Sequence, residues 1–160
     1  MIEWENCQPP IDRSAITEVE QAWGIRFPED YVKCVLENHG GNPRPNGVRV
    51  GQGSAVFNSL LNFNPPHPWR ATTPDRMVDY YSNLIAQNLL PNDVYPFAFD
   101  PAGNYFAFDY RNSASAPSIV FLEHELETEE GYLYDVPVAE SFTEMLDNMF
   151  DFEDEEYYVT

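Results

Sequence analysis

The sequence predicts one domain that combines helices with a sheet, and three observations lead to this prediction. The chain has 160 residues, which suits a single domain, and 43% of them are hydrophobic and 15% aromatic, enough for a buried core. Apolar residues near both ends of the chain recur with the 3.6-residue period of a helix. Several segments of the second half alternate between two faces as strands do, so we expect the sheet to be concentrated there.

The first helix is predicted between Ile11 and Trp23. Its apolar side chains recur every three or four residues, at Ile16, Val19 and Trp23. Asp12 is of a residue type that caps helix N-termini. Gly24 follows the last apolar position, where a left-handed residue commonly ends a helix.

A second helix is predicted to follow at once. Pro28 suits a first helical position, and Glu29 and Asp30 complement the positive end of the helix dipole. Its apolar side chains are Tyr31, Val32, Val35 and Leu36. The Gly40-Gly41 pair stops it, so the chain is expected to open with two consecutive helices.

The middle of the chain is expected to be less regular. Residues 41–70 are rich in glycine, proline and asparagine, which predicts loops with weak strands around 48–50 and 55–57. A third helix is predicted to open at Thr73-Pro74-Asp75, a cap followed by proline, and to close before Pro91. Its apolar face would consist of Met77, Tyr81, Leu84 and Leu89.

A hairpin is predicted next. Its first strand would place Tyr95, Phe97 and Phe99 on one side. Its second strand, at 105–110, would place Phe106, Phe108 and Tyr110 opposite Tyr105 and Ala107. The connecting segment from Asp100 to Asn104 contains a proline and Gly103, which predicts a turn. Calcium is the alternative for this segment, but the acidic series and distal glutamate of a calcium loop are missing, so the turn is preferred.

Two more strands and a final helix complete the predicted domain, which spans residues 1–150. The strands are expected at 118–125 and 132–136, the second ending before Pro137. Ser141 and Glu144 match a capping box, which predicts a helix at 142–150 that docks on the sheet. Its apolar stripe is Phe142, Met145, Leu146, Met149 and Phe150. Residues 151–160 are predicted to form a loosely held acidic tail.

The charge balance narrows the possible partners. The chain has eight Lys and Arg residues and 27 Asp and Glu residues, which gives a net charge of −19. Every basic residue lies at or before Arg111, whereas 14 of the acidic residues follow it. Because nucleic-acid affinity depends on cations that neutralise phosphates, the chain is expected to repel DNA and RNA. The acidity either keeps the protein soluble or recognises a basic surface, and the charge alone leaves both readings open.

Neither catalytic chemistry nor a cofactor is predicted. The three histidines, His39, His67 and His124, are far apart in the sequence and do not form a metal-ligand pattern, and no GxSxG or phosphate-loop motif is present. Cys7 and Cys34 lack CxxC spacing, so we expect reduced thiols, a cytoplasmic protein and no structural zinc. No signal peptide and no membrane-spanning segment are predicted.

Taken in order, five motifs resemble the SUKH superfamily, the Smi/Knr-like group. They are Glu20-x-x-Trp23-Gly24-Ile25, Phe27-Pro28-Glu29-Asp30-Tyr31, Asn38-His39-Gly40-Gly41, the segment from Tyr95 to Asn104, and Ser141-Phe142. The chain departs from the family pattern in having Phe27 where leucine is usual and in the insertion of His39 before the glycine pair. The resemblance covers roughly residues 11–150 and gives structural roles to Trp23, Gly24, Pro28, Tyr31, Gly40, Gly41, Asp100, Gly103 and Asn104.

The resemblance implies an α+β domain, with helices packed around a mostly antiparallel sheet, and no enzymatic activity. Bacterial members are immunity proteins that bind and neutralise a cognate polymorphic toxin, often a nuclease, and fungal members regulate cell-wall synthesis. The first hypothesis is therefore an immunity protein against a basic toxin, and the alternative is a protein-binding regulatory or scaffolding module. Five acids at a strand end and in the loop after it are the predicted toxin contacts: Glu123, Glu125, Glu127, Glu129 and Glu130.

Overall fold

A computed structural model describes residues 1–70 and 73–152, and it confirms the α+β architecture. The helices of the described residues are α1 (Arg13–Trp23), α2 (Glu29–Asn38), α3 (Met77–Ala86) and α4 (Phe142–Asp147). The strands are β1 (Glu3–Glu5), β2 (Asn42–Arg44), β3 (Gly47–Val50), β4 (Gly53–Val56), β5 (Ser59–Leu60), β6 (Val94–Phe99), β7 (Tyr105–Asp109), β8 (Ser118–Glu127) and β9 (Leu133–Ala139). No helix of this part of the chain is long and apolar enough to cross a bilayer.

The central sheet has five strands in the order β5-β6-β7-β8-β9, and every neighbouring pair is antiparallel. Each strand therefore pairs with the strand next to it in the sequence. Two small antiparallel sheets, β1-β2 and β3-β4, lie outside it. The sheet is concentrated in the second half of the chain, as the alternating segments predict.

The larger core cluster is rich in aromatic side chains. Phe106 and Phe108 of β7 belong to it, together with residues of α1, α2 and α4. Tyr31 lies at its centre, with ring centroids 4.9 Å from Phe108 and 5.5 Å from Phe142. The three helices therefore cover the sheet face that carries the even-numbered phenylalanines of β7.

A smaller apolar cluster lies on the opposite face of β7, where Ala107 points. It consists of Leu84, Leu90, Val94, Ala107, Val120, Leu122 and Leu133. Helix α3 contributes to both clusters, because Met77 belongs to the larger one and Leu84 to the smaller one. The third helix thus lies where the two apolar layers meet.

The first two helices have the predicted boundaries within one or two residues. Asp12 occupies the N-cap position of α1, and Gly24 ends the helix with a left-handed φ of 68°. Pro28 lies one position earlier than predicted, since it is the residue before the first turn of α2. Gly40 has a φ of 64° just after that helix, so the glycine pair ends it as expected.

The start of α3 was predicted wrongly. Thr73 and Pro74 precede the helix, which begins only at Met77. Backbone hydrogen bonds from Asn62 N to Asp75 O and from Met77 N to Asn62 O hold the segment before the helix, in which Asp75 adopts a left-handed φ of 55°. The helix also ends at Ala86, well before Pro91, because Asn88 adopts a positive φ of 58°.

Two predicted strand patterns need correction. A register shift between Pro96 and Ala98 makes Phe97 a bulge residue, so Phe99 pairs with Tyr105 on the face opposite to Tyr95. Strand β9 continues through Pro137, which pairs with Val120 instead of ending the strand. Proline is tolerated there because β9 is at the edge of the sheet.

The last helix begins as predicted but is shorter. Ser141 Oγ accepts a hydrogen bond from the backbone N–H of Glu144 at 3.1 Å, and α4 then ends at Asp147. Phe150 instead pairs with Gly47, with hydrogen bonds of 2.7 and 3.1 Å between their backbones. Of the predicted acidic tail, residues 153–160 lie outside the described part of the chain.

Candidate protein-binding surface

The hairpin formed by β8 and β9 brings the five predicted contact residues together. Glu123, Glu125 and Glu127 belong to β8, and Glu129 and Glu130 belong to the turn that follows. Four of them are exposed, while the side chain of Glu123 is only 27% exposed. We call residues 123–134 the acidic hairpin.

The acidic hairpin extends beyond the rest of the sheet. Strand β7 pairs with β8 only as far as Leu122, so the residues after it pair with β9 alone. Glu123 is opposite Tyr134 and Glu127 is opposite Leu133, which leaves residues 124–126 as an extended bulge in β8. Bulges re-aim side chains, so these residues face directions that simple alternation does not predict.

Backbone hydrogen bonds stabilise the turn and the base of the hairpin. In its turn, Thr128 N donates to Tyr132 O at 2.9 Å and Gly131 N donates to Thr128 O at 3.0 Å. Gly131 has a φ of 87°, which favours glycine at this point of the turn. At the start of β9, Leu133 N donates to Leu89 O at 2.9 Å, which ties the hairpin to the segment after α3.

The Asp100–Asn104 turn supports the base of the acidic hairpin. Asp100 Oδ1 accepts hydrogen bonds from the backbone N–H groups of Ala102 and Asn104, and Asp100 Oδ2 accepts one from Asn104 Nδ2. Asn104 Oδ1 in turn accepts a hydrogen bond from His124 N at 2.9 Å. Two motif residues of the predicted turn therefore fix the position where the bulge begins.

Two apolar residues of this surface were missed by the sequence analysis. Leu126 is 54% exposed and Tyr134 is 44% exposed. Tyr134 pairs with Glu123 across the hairpin, and Leu126 lies in the bulge next to that pair. Leu126 lies between Glu125 and Glu127 in the chain, and Tyr134 is followed by Asp135, so the surface combines apolar contact area with negative charge. The alternation around Tyr132 and Tyr134 signals a strand, but only the bulge determines that Leu126 is exposed.

The charge of this surface is of one sign. Residues 112–160 contain no lysine or arginine, so none is present in the acidic hairpin. The basic residue that reaches its base is Arg111, which hydrogen-bonds to Asp109 and to Asp135. A partner that approaches the hairpin therefore meets a negative potential.

A second exposed feature, the 64–70 loop, differs in character. Trp69 is 88% exposed there, and the loop contains three prolines and Arg70 but no acidic residue. The loop is tied to the start of α3, since Arg76 Nε donates to Asn64 O at 2.8 Å. It therefore lacks the negative charge that the predicted basic partner requires.

The described residues do not contain a cluster of three or more His, Cys, Asp or Glu side chains that could hold a metal ion. His39 is buried and bonded at both ring nitrogens: Nδ1 lies 2.8 Å from Pro9 O, and Nε2 accepts from Phe63 N. Burial also lowers the pKa of His39. Burial raises the pKa of the Cys34 thiol to about 12, opposite to the shift that activates a nucleophilic cysteine.

Comparison with models of known protein families gives a match. The model of the SMI1/KNR4 family (SUKH-1) matches residues 10–148, which is most of the chain. A search of curated proteins finds no match. The match spans all four helices and the central sheet, and it includes the acidic hairpin.

Proposed function

The chain belongs to the SMI1/KNR4 (SUKH-1) family, whose members bind partner proteins, and we propose that it is a non-catalytic immunity protein that neutralises a basic toxin by binding it. The nature of the toxin is part of this proposal: a nuclease is the best candidate, because an enzyme that holds phosphates has a basic active site. An acidic domain can occupy such a site by presenting carboxylates in place of phosphates.

The acidic hairpin is the observation that carries this proposal. Protein interfaces combine a few apolar or aromatic anchors with a polar rim, and the anchors supply most of the binding energy. Leu126 and Tyr134 are exposed on a hairpin whose other exposed side chains are mainly carboxylates. This arrangement matches a docking surface for a basic protein better than a surface that only keeps the domain soluble.

The two kinds of side chain should affect different rate constants. Carboxylates steer the encounter and raise the association rate constant, which can reach about 10⁸–10⁹ M⁻¹s⁻¹ at low salt. Apolar anchors are desolvated only after contact and therefore slow dissociation. The function predicts fast, salt-sensitive association and slow dissociation.

The test uses the toxin encoded by the adjacent gene, mixed with this protein by stopped flow at several salt concentrations. The variant Glu125→Gln/Glu127→Gln/Glu129→Gln should associate about 10-fold more slowly at low salt, with a weaker salt dependence. The matched control is Glu3→Gln/Glu18→Gln/Glu37→Gln, which removes the same charge from exposed positions on β1, α1 and α2. Equal slowing by both variants would show that only net charge matters and that the hairpin is not the docking surface.

The biological part of the test is protection. Cells that produce the toxin together with the wild-type protein should survive, and Leu126→Ala/Tyr134→Ala should weaken that protection by speeding dissociation. A toxin that is neither bound nor neutralised would refute the immunity function for this pair. The family alternative, a regulatory or scaffolding module, would then be the better proposal.

A further inference from the structure

A small cavity lies at the base of the acidic hairpin, and the proposed function does not depend on it. Its volume is about 230 Å³, and it lies between the hairpin, the start of β6 with the segment before it, and Arg111 in the loop after β7. Val94, Leu122 and Leu133 form its apolar part, and each of them is at most 6% exposed. Charged side chains line it as well, namely Arg111, Glu130 and Asp135.

The size of the cavity suits a single side chain. Pockets for drug-sized ligands have volumes of roughly 300–1,000 Å³, and this cavity is smaller at about 230 Å³. Its apolar lining can bury a hydrocarbon chain. The occupant is therefore expected to be a group with a hydrocarbon stem, supplied by a larger molecule.

The charge at the cavity opening is negative despite the presence of Arg111. Arg111 forms two hydrogen bonds of 2.9 Å with the carboxylate of Asp109 and one of 2.7 Å with Asp135 Oδ2. Burial raises the pKa of Asp109, but the hydrogen bonds and the charge of Arg111 outweigh burial and lower it overall. Asp109 and Asp135 thus more than neutralise Arg111. Glu130 adds a further negative charge, because Arg111, the cation of the cavity lining, is bonded to the other two carboxylates.

We propose that this cavity is an anchor site for a long cationic side chain, an arginine or a lysine, projecting from the partner protein. The aliphatic stem would pack on Val94, Leu122 and Leu133, and the charged head would bind the carboxylates of Glu130 and Asp135. As a docking site it rests on the proposed function, because a basic partner is the source of the side chain. It also explains how a mainly electrostatic surface can fix the orientation of that partner.

Two neighbouring glutamates provide a matched test with the toxin. Glu129 and Glu130 are both exposed and carry the same charge, but only Glu130 lines the cavity. Glu129→Gln and Glu130→Gln should therefore slow association equally. Only Glu130→Gln should speed dissociation, by about 10-fold, as expected for loss of a hydrogen bond between charged groups. Equal dissociation rate constants for the two variants would overturn the docking role of the cavity.

A second experiment does not depend on the toxin. The probes are the tripeptide Gly-Arg-Gly, capped at both ends, and the same peptide with lysine or with uncharged citrulline in the middle. Titration to tens of millimolar, followed by NMR, should give saturable shifts at the backbone amides of Val94, Leu122 and Leu133 with the cationic peptides only. Glu130→Gln should weaken this binding several-fold, and Glu129→Gln should leave it unchanged. Absence of shifts, or equal shifts with the citrulline peptide, would refute the cationic site.

The two experiments separate this inference from the proposed function. Peptide binding without toxin binding would refute the immunity function for that toxin and support the cationic site. Toxin binding without peptide binding, and without a difference between the two glutamate variants, would support the function and refute the anchor site. If both experiments succeed, comparison of the arginine and lysine peptides identifies which cation the site prefers.

Discussion

Two buried tyrosines of the core predict opposite effects of the same substitution. Tyr31 is fully buried, and its hydroxyl is the one buried side-chain polar atom among the described residues that has no hydrogen-bond partner. Tyr110 is 6% exposed, and its hydroxyl donates a hydrogen bond of 2.6 Å to Arg26 O. Replacement of either residue by phenylalanine removes one hydroxyl and preserves the ring, so the hydrogen bond is the main difference between the two variants.

The expected magnitudes follow from this difference. A buried polar group without a partner destabilises a protein by about 1–3 kcal/mol, and a satisfied hydrogen bond stabilises it by about 0.5–1.5 kcal/mol. Removal of the Tyr31 hydroxyl also leaves a small void that offsets part of the gain. Tyr31→Phe should therefore raise the free energy of unfolding by about 1 kcal/mol, and Tyr110→Phe should lower it by about 1 kcal/mol.

Urea denaturation measures both values, provided that the slope of unfolding free energy against urea concentration stays the same in wild type and variants. The two midpoints should shift in opposite directions. Destabilisation by Tyr31→Phe of about 1 kcal/mol or more would refute the reasoning, because it would mean that the hydroxyl forms a stabilising hydrogen bond, for example to a buried water. A Tyr110→Phe variant as stable as wild type would show that the bond to Arg26 contributes nothing.

Three further predictions concern α4, the hairpin turn and the pH dependence of stability. Met145→Ala should lower the free energy of unfolding by about 2–5 kcal/mol in urea melts, and Leu146→Ala by clearly less, because Met145 is 2% exposed and Leu146 only partly buried. Gly103→Ala should lower it by about 1 kcal/mol in thermal melts, because φ is 91° while the nearest atom to an added Cβ is 3.7 Å away; a neutral effect would contradict the left-handed turn. The pKa of His39 is lowered on folding, so stability should fall as pH drops below about 6.5, where the unfolded chain binds the proton first. Urea midpoints of His39→Gln should lack this dependence, and an unchanged pH profile in that variant would assign it to other groups.

The elements that could be predicted from the sequence are those defined by local signals. The apolar period and Gly24 define α1, and the Ser141 cap defines the start of α4, where the hydroxyl bonds to Glu144 as predicted. The end of α4 could not be predicted, because Phe150 leaves the helix pattern to pair with Gly47, about a hundred residues earlier in the chain. The start of α3 could not be predicted for the same reason, since Asn62 forms backbone hydrogen bonds with Asp75 and Met77 at that point of the chain.

The candidate surface also has features that local sequence predicts and features that depend on contacts between distant parts of the chain. The negative charge of the acidic hairpin is a property of composition and can be predicted without a structure. The exposure of Leu126 depends on the register of β8 against β9, and the sequence does not encode a recognisable signal for that bulge. The cavity beside Glu130 depends on side chains from three separate segments, so only the folded chain reveals it.

The exposure of Trp69 gives the protein an intrinsic optical reporter. Trp4 packs edge-to-face on Phe57 and Trp23 stacks on Tyr95, whereas Trp69 is 88% exposed. A soluble quencher such as acrylamide should therefore act mainly on the emission of Trp69. The 64–70 loop is hydrogen-bonded to Arg76 at the start of α3. The acidic hairpin is hydrogen-bonded to Leu89, which follows the end of α3.

A ten-residue helix is about 15 Å long, so the length of α3 sets the scale of the distance between Trp69 and the acidic hairpin. A partner confined to the hairpin leaves the emission of Trp69 open to quenching. A partner that extends along the whole of α3 shields it. The fraction of fluorescence lost to acrylamide in a complex therefore measures how far the footprint of the partner reaches, without any label attached to either protein.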